Sequence, residues 1–254
     1  MEFEEQEEDL TTAGRKPGWL FKTLVVIVVI AFAGFSMPHL SFLFTDPPAS
    51  LDQNRILKND ELVIKSKPAV VYIEAVDATK PLKVATHQGT GFNLDESGKI
   101  ITNRHVVQSS SLIIVSFAHG ARFFAAGYKE IPGYDLAVIT LEAQGLPYLQ
   151  LESALPAATG DTVTVIGNPL GLSQISQRGK VGAFRRTKSS ASPVFELEFP
   201  ISQGSSGSPV INTQGSVVGI VFASIAESDG EIKDRHGLAI PAKVLLEQLA
   251  NAPH

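Results

Sequence analysis

Hydrophobic residues in this chain gather in short runs of five to ten positions, cut by Gly, Pro, Asn, Asp or Ser. The runs are AVVYIEAV (69–76), TGFNLD (90–95), KIITN (99–103), SLIIVSF (111–117), DLAVITL (135–141), DTVTVIG (161–167), VFELEF (194–199), SPVIN (208–212) and SVVGIVFASI (216–225). They are rich in β-branched and aromatic residues, which suit a pleated, half-buried surface. Parallel strands need crossover connections, usually helical, and these spacings leave no room for them. The pattern therefore predicts an all-β fold of antiparallel barrels or a sandwich. A domain of about 200 residues suits two small barrels, dividing near Pro156. Two stretches read as short helices: Leu51–Lys65, leading into the first run, and the amphipathic Ala242–Leu249 (AKVLLEQL).

One longer stretch breaks the pattern. From Thr23 to Thr45 there is no Asp, Glu, Lys or Arg, and Leu24–Phe35 (LVVIVVIAFAGF) is almost wholly apolar. A helix of ~20 such residues crosses the ~30 Å hydrocarbon core of a bilayer. A cleaved signal peptide has a shorter apolar region and a small-x-small cleavage site. Here the apolar character continues past Met37 into LSFLF, and no such site follows. The stretch predicts an uncleaved transmembrane helix, with a cleaved signal as the alternative. Arg15, Lys16 and Lys22 stand directly before it, which by the positive-inside rule keeps the N-terminus cytoplasmic. The expected organisation is an acidic cytoplasmic tail (1–22), a membrane anchor (23–45), a linker (46–60) and one extracytoplasmic domain (61–254).

Charge and composition narrow the function. The net charge is −5, and residues 1–45 carry −3 of it, with six acids against three bases. The rest of the chain has no basic field of the kind that nucleic acid requires, so no nucleic-acid partner is expected. Cysteine is absent, which excludes disulfides, thiolate catalysis and Cys-based zinc sites. No His-x-x-x-His or Asp/His cluster supports a metal site, and no cofactor is implied.

The candidate chemistry lies in Gln203–Pro209, QGSSGSP. A serine nucleophile needs a base in reach, a group to orient that base, and backbone N–H groups aimed at the oxyanion. Among the three serines only Ser206 has a glycine two before it (Gly204) and one after it (Gly207). His105, in IITNRHVV, closes one β run, and Asp135, in GYDLAVI, opens another thirty residues later. Taken singly, these read as a satisfied histidine and a turn cap. In the order His, Asp, Ser, each beside a strand that could fix it, they read as a catalytic set. An α/β-hydrolase would run Ser, acid, His around G-x-S-x-G. Here position 208 is Ser, and the later acids and His236 crowd one polar loop.

Five segments together resemble the HtrA/DegP-like branch of the chymotrypsin-fold serine proteases. They are GTGFNLDESGKIITNRHVV (89–107), YDLAVI (134–139), GNPLGLSQISQRGKVGAF (167–184), PISQGSSGSPVIN (200–212) and GLAIP (237–241). They follow the family order and span roughly residues 60–250. The resemblance implies a chymotrypsin-like double β-barrel with the active site in the cleft between barrels. It also implies a membrane-anchored, periplasmic or extracytoplasmic serine endopeptidase acting on unfolded or membrane-adjacent polypeptides. His105 would be the general base, Asp135 its orienting acid and Ser206 the nucleophile, with the N–H groups of Gly204 and Ser206 as the oxyanion hole. Trimers are common among relatives, so a homo-trimer is an open expectation. Ser205 and Ser208 depart from the family, which usually has Asn and Gly there; a positive φ at position 208 would strain the serine. Most HtrA-like proteins carry a PDZ module after the protease, and none is expected here. These departures leave an alternative, a silent protease-like chaperone or binding module. Pro200 stands six before the nucleophile, so cleavage after Lys or Arg is not expected. Ile220, Val221 and Phe222 suggest an apolar pocket for Val, Ala or Leu, with plain barrel core as the competing reading.

Overall fold

The computed structural model describes residues 49–77, 87–168, 174–187, 190–202, 204–226 and 235–251. The expected tail and anchor (1–45) lie outside these residues. Among the described residues, no helix is long and apolar enough to cross a membrane.

Two short helices, α1 (Ala49–Leu57) and α2 (Glu61–Ser66), and a 3-10 turn (Lys67–Ala69) lead into the first barrel. It contains β1 (Val70–Asp77), β2 (His87–Asn93), β3 (Lys99–Thr102), the one-turn helix α3 (Arg104–Val107), β4 (Ser110–Phe117), β5 (Arg122–Ile131) and β6 (Leu136–Leu141). The second contains β7 (Thr162–Gly167), β8 (Ile175–Arg185), β9 (Val194–Pro200), β10 (Pro209–Ile211), β11 (Val217–Ala226) and β12 (Arg235–Pro241), followed by α4 (Ala242–Asn251). Each set of six strands closes on itself, in the orders β1-β2-β3-β6-β5-β4 and β10-β11-β12-β9-β8-β7. Neighbouring strands pair antiparallel throughout. The fold is the all-β double barrel that the hydrophobic runs and the family resemblance predict.

Period-two alternation explains why the best runs look almost continuously apolar. In β1, Val71, Ile73 and Ala75 fill the first barrel, while Val70 faces a core shared with the second. In β6, Ala137, Ile139 and Leu141 point inward and Leu136 joins the shared core. Both faces of such strands are buried, so both parities are apolar. Ile166, Ile211 and Ile220 supply the shared core from the second barrel, and α4 closes over it with Val244 and Leu245.

Three strands differ from the sequence expectation. β5, which is not among the runs above, holds the apolar stretch FFAA (123–126) but leaves its residues exposed or half-buried until Ile131. β8 sets buried polar residues, Ser176 and Gln177, directly after Ile175, and β12 opens on Arg235, His236 and Gly237. The predicted helix Leu51–Lys65 is two helices, interrupted at Lys58–Asp60. From residue 49 on, the segment expected as linker is helix docked on β8. The Arg178 amide donates to Gln53 Oε1 at 3.1 Å and the Gln53 Nε2 donates to the Arg178 carbonyl at 3.2 Å. The Ser176 amide donates to Asn54 Oδ1 at 2.9 Å.

Candidate functional site

His105 sits in α3, the single turn that follows β3, and Asp135 immediately precedes β6. The β3–β6 register, Thr102 opposite Ala137, brings the ends of these two strands together. The carboxylate of Asp135 grips the histidine twice. Its Oδ1 accepts the His105 backbone N–H at 3.0 Å, and its Oδ2 lies 2.6 Å from His105 Nδ1. The Asp135 side chain is 14% exposed and that of His105 is 44% exposed, so the anchor is sheltered and the ring is open. Asn103 fixes the acid from behind, its Nδ2 donating to the Asp135 carbonyl at 2.8 Å. With Nδ1–H directed at the carboxylate, Nε2 is left as the basic nitrogen.

Ser206 lies between β9 and β10, half-buried, in a turn built on two left-handed glycines, Gly204 (φ +92°) and Gly207 (φ +85°). Within the turn the amides of Ser205, Gly207 and Ser208 donate to the carbonyls of Ser202 (3.2 Å), Val221 (2.8 Å) and Ser205 (3.0 Å). The alternate amides, of Gly204 and Ser206, have no acceptor among the described residues. These are the two N–H groups that the family resemblance assigns to an oxyanion hole. Gly207 permits no side chain: a Cβ there would come 2.0 Å from the Thr90 carbonyl oxygen and 2.6 Å from Thr102 Oγ1. Ser208 does not require a positive φ; among described non-glycine residues only Ser109 and Gln174 adopt one.

Ile220, Val221 and Phe222 are all buried, Ile220 and Phe222 in the shared core and Val221 inside the second barrel. Val221 also reaches the turn through its backbone, its amide donating to the Ser208 carbonyl at 3.0 Å. Pro200 ends β9 exposed, its carbonyl accepting from Gln177 Nε2 at 3.0 Å. Among the described residues, no group of three or more His, Cys, Asp or Glu is placed to hold a metal ion.

Sequence reasoning passed over the residues that support these groups. Asn103 precedes His105 without any signature of its own. Thr90 was visible only as part of G-T-G-F, yet it contacts the Ser206 turn from the other barrel.

Comparison with known proteins places this geometry. Residues 89–220 match the trypsin-like peptidase domain, a range that takes in His105, Asp135 and Ser206. A probable periplasmic serine endoprotease, DegP-like, from Chlamydia pneumoniae is 34% identical over 67% of this chain and 36% of its own length. The serine endoprotease DegS of Escherichia coli (strain K12) is 31% identical over 86% of this chain and 63% of its own. The crystal structure of the serine endoprotease from Yersinia pestis superimposes with a TM-score of 0.64 at 28% identity, covering 74% of this chain and 64% of that one. The chain thus spans between about a third and two thirds of the curated relatives it matches. With the matching domain, the two closed barrels and these relatives in agreement, the chain belongs to the trypsin-like peptidase family, among its DegP- and DegS-like members.

Proposed function

We propose that this protein is a serine endopeptidase of unfolded or membrane-adjacent polypeptides, held at the membrane by residues 23–45 with its barrels on the extracytoplasmic side. The observation that carries the reading is the doubly held His105–Asp135 pair, combined with a turn whose free amides are those of Gly204 and Ser206. In the proposed cycle the Ser206 hydroxyl attacks a peptide carbonyl while His105 Nε2 takes its proton. The Asp135 carboxylate keeps the ring in the required tautomer and balances the imidazolium. The Gly204 and Ser206 amides receive the oxyanion, an interaction for which each donor typically contributes ~3 kcal/mol. The imidazolium then protonates the leaving amine, and water completes the cycle by the reverse path. The named relatives, periplasmic and serine endoproteases, support the compartment and the reaction. The alternative of a silent module drew on the departures at Ser205 and Ser208 and on the expected lack of a PDZ module; of these, strain at Ser208 finds no positive φ to support it. Pro200, six residues before Ser206, supplies no carboxylate for a Lys or Arg side chain, which supports Val, Ala or Leu before the cleaved bond.

The test is casein turnover by alkaline-washed membranes carrying the full chain. The protein should stay in the membrane pellet and hydrolyse casein, and a Val-peptide should turn over faster than an Arg-peptide. Asp135→Asn, which presents the wrong tautomer to the serine, should lower kcat on the order of 10⁴-fold. An Asp135→Asn enzyme within tenfold of wild type would refute the assigned triad.

A further inference from the structure

Thr90 is fully buried in β2, on the first barrel, and every polar atom it owns is committed. Its amide donates to the Ser206 carbonyl at 2.8 Å. Its hydroxyl donates to the Gly204 carbonyl at 2.8 Å and accepts the Asn168 amide at 2.9 Å. Its carbonyl accepts from Thr102 Oγ1 at 2.7 Å. The two carbonyls it holds on the turn belong to the same two residues whose amides are free. A carbonyl fixes the peptide plane on the C-terminal side of its residue. The held planes carry the Ser205 and Gly207 N–H groups, and they flank on both sides the 205–206 peptide plane that carries the Ser206 N–H, restricting how that plane can turn.

The hydroxyl contact has its own support. Asn168 directly follows β7 and is itself buried; its Nδ2 donates to the Val71 carbonyl at 3.1 Å and its Oδ1 accepts the Gln174 amide at 3.0 Å. Gln174 Nε2 in turn donates to the carbonyls of Lys67 at 2.6 Å and Val70 at 3.1 Å. The Thr90 hydroxyl is therefore pinned from the side opposite the turn, and its single proton is directed at Gly204. Apart from the Gly204 carbonyl, the hydroxyl serves only the buried Asn168 amide; β2 pairs through its backbone.

We propose that Thr90 is a positioning residue that sets the oxyanion-binding geometry of the Ser206 turn from across the barrel boundary. This rests on the peptidase reading above. The effect is a transition-state effect, because the aligned amides matter once the oxyanion forms.

The test compares Thr90→Val, which keeps the shape and deletes the hydroxyl, with Thr90→Ser, which keeps the hydroxyl, both in the full chain. Thr90→Val should lower kcat by about 10- to 100-fold with KM within about twofold. Thr90→Ser should recover kcat to within about threefold of wild type, and the pH midpoint set by His105–Asp135 should not move in either. A Thr90→Val enzyme with wild-type kcat, a loss expressed in KM, or a Thr90→Ser enzyme as slow as the valine variant would overturn the proposal. Ser206→Ala beside them separates the two questions: if it cleaves casein at the wild-type rate, the peptidase reading falls. Amide exchange then judges Thr90 without activity. The Gly207 and Ser208 amides should exchange at least about tenfold faster in Thr90→Val, not in Thr90→Ser, while those of β6 stay unchanged. Equal exchange in all three proteins would remove the positioning role.

Discussion

Ser208 carries a side chain where the resemblance expects a bare glycine, and the turn accommodates it at a second position. The residue is fully buried, its backbone paired on both sides, and its Oγ has no hydrogen-bond partner among the described residues. The space it occupies is left by Gly167 at the end of β7, where a Cβ would come 2.3 Å from Ser208 Oγ. The two residues therefore fit as a pair. A buried hydroxyl without a partner costs ~1–3 kcal/mol, so Ser208→Ala should unfold at an equal or higher denaturant midpoint. Gly167→Ala overfills the site and should lose ~1–3 kcal/mol. Adding Ser208→Gly to Gly167→Ala should recover a good part of that loss. Additive behaviour in equilibrium unfolding would show that the two side chains do not share the space.

Among the elements, α1 and α2 form a brace on β8 rather than a free linker. Asp60 serves two purposes there: its Oδ1 caps α2 by accepting the Val63 amide at 3.3 Å, and its Oδ2 pairs with Arg178 Nη1 at 2.8 Å, which ties the helix to β8. The hydrogen bond from the Arg178 guanidinium holds the Asp60 carboxyl below its ordinary range, and the Val63 amide adds to this against the cost of burial. A folded value below the unfolded one means stability that is present above about pH 4 and lost as pH falls through the folded value. Asp60→Asn keeps a capping side chain and removes the charge, so at pH 7 it should cost ~0.5–1 kcal/mol for this partly exposed pair. The difference from wild type should vanish in unfolding measurements near pH 2. A gap that persists there would assign the loss to something other than the ion pair. What could be read from sequence follows burial. β1, β3 and β6 have both faces covered and announce themselves; β5 leaves its FFAA stretch (123–126) exposed or half-buried, and β8 sets buried polar Ser176 and Gln177 directly after Ile175, so neither reads as a buried strand. Ser206 was legible from its flanking glycines, and His105 and Asp135 from chain order. Thr90 was not, because its part in the site comes from a contact 114 residues away in the other barrel.

At the scale of the molecule, each barrel has its own interior, and a third core joins them through Phe92, Ile101 and Leu136 on one side and Ile166, Ile211 and Ile220 on the other. His105 and Asp135 stand on the first barrel and the Ser206 turn on the second, on either side of the shared core. Thr90 adds polar bonds across the same boundary. The most direct test of the proposed activity is covalent labelling of the full chain with a fluorophosphonate, in the presence of unfolded casein. The account predicts a single adduct on Ser206, located by peptide mass spectrometry, that is absent from Ser206→Ala and strongly reduced in His105→Ala. A wild-type chain that takes no label under these conditions, or takes it equally after Ser206→Ala, would contradict the assignment of Ser206 as an activated nucleophile.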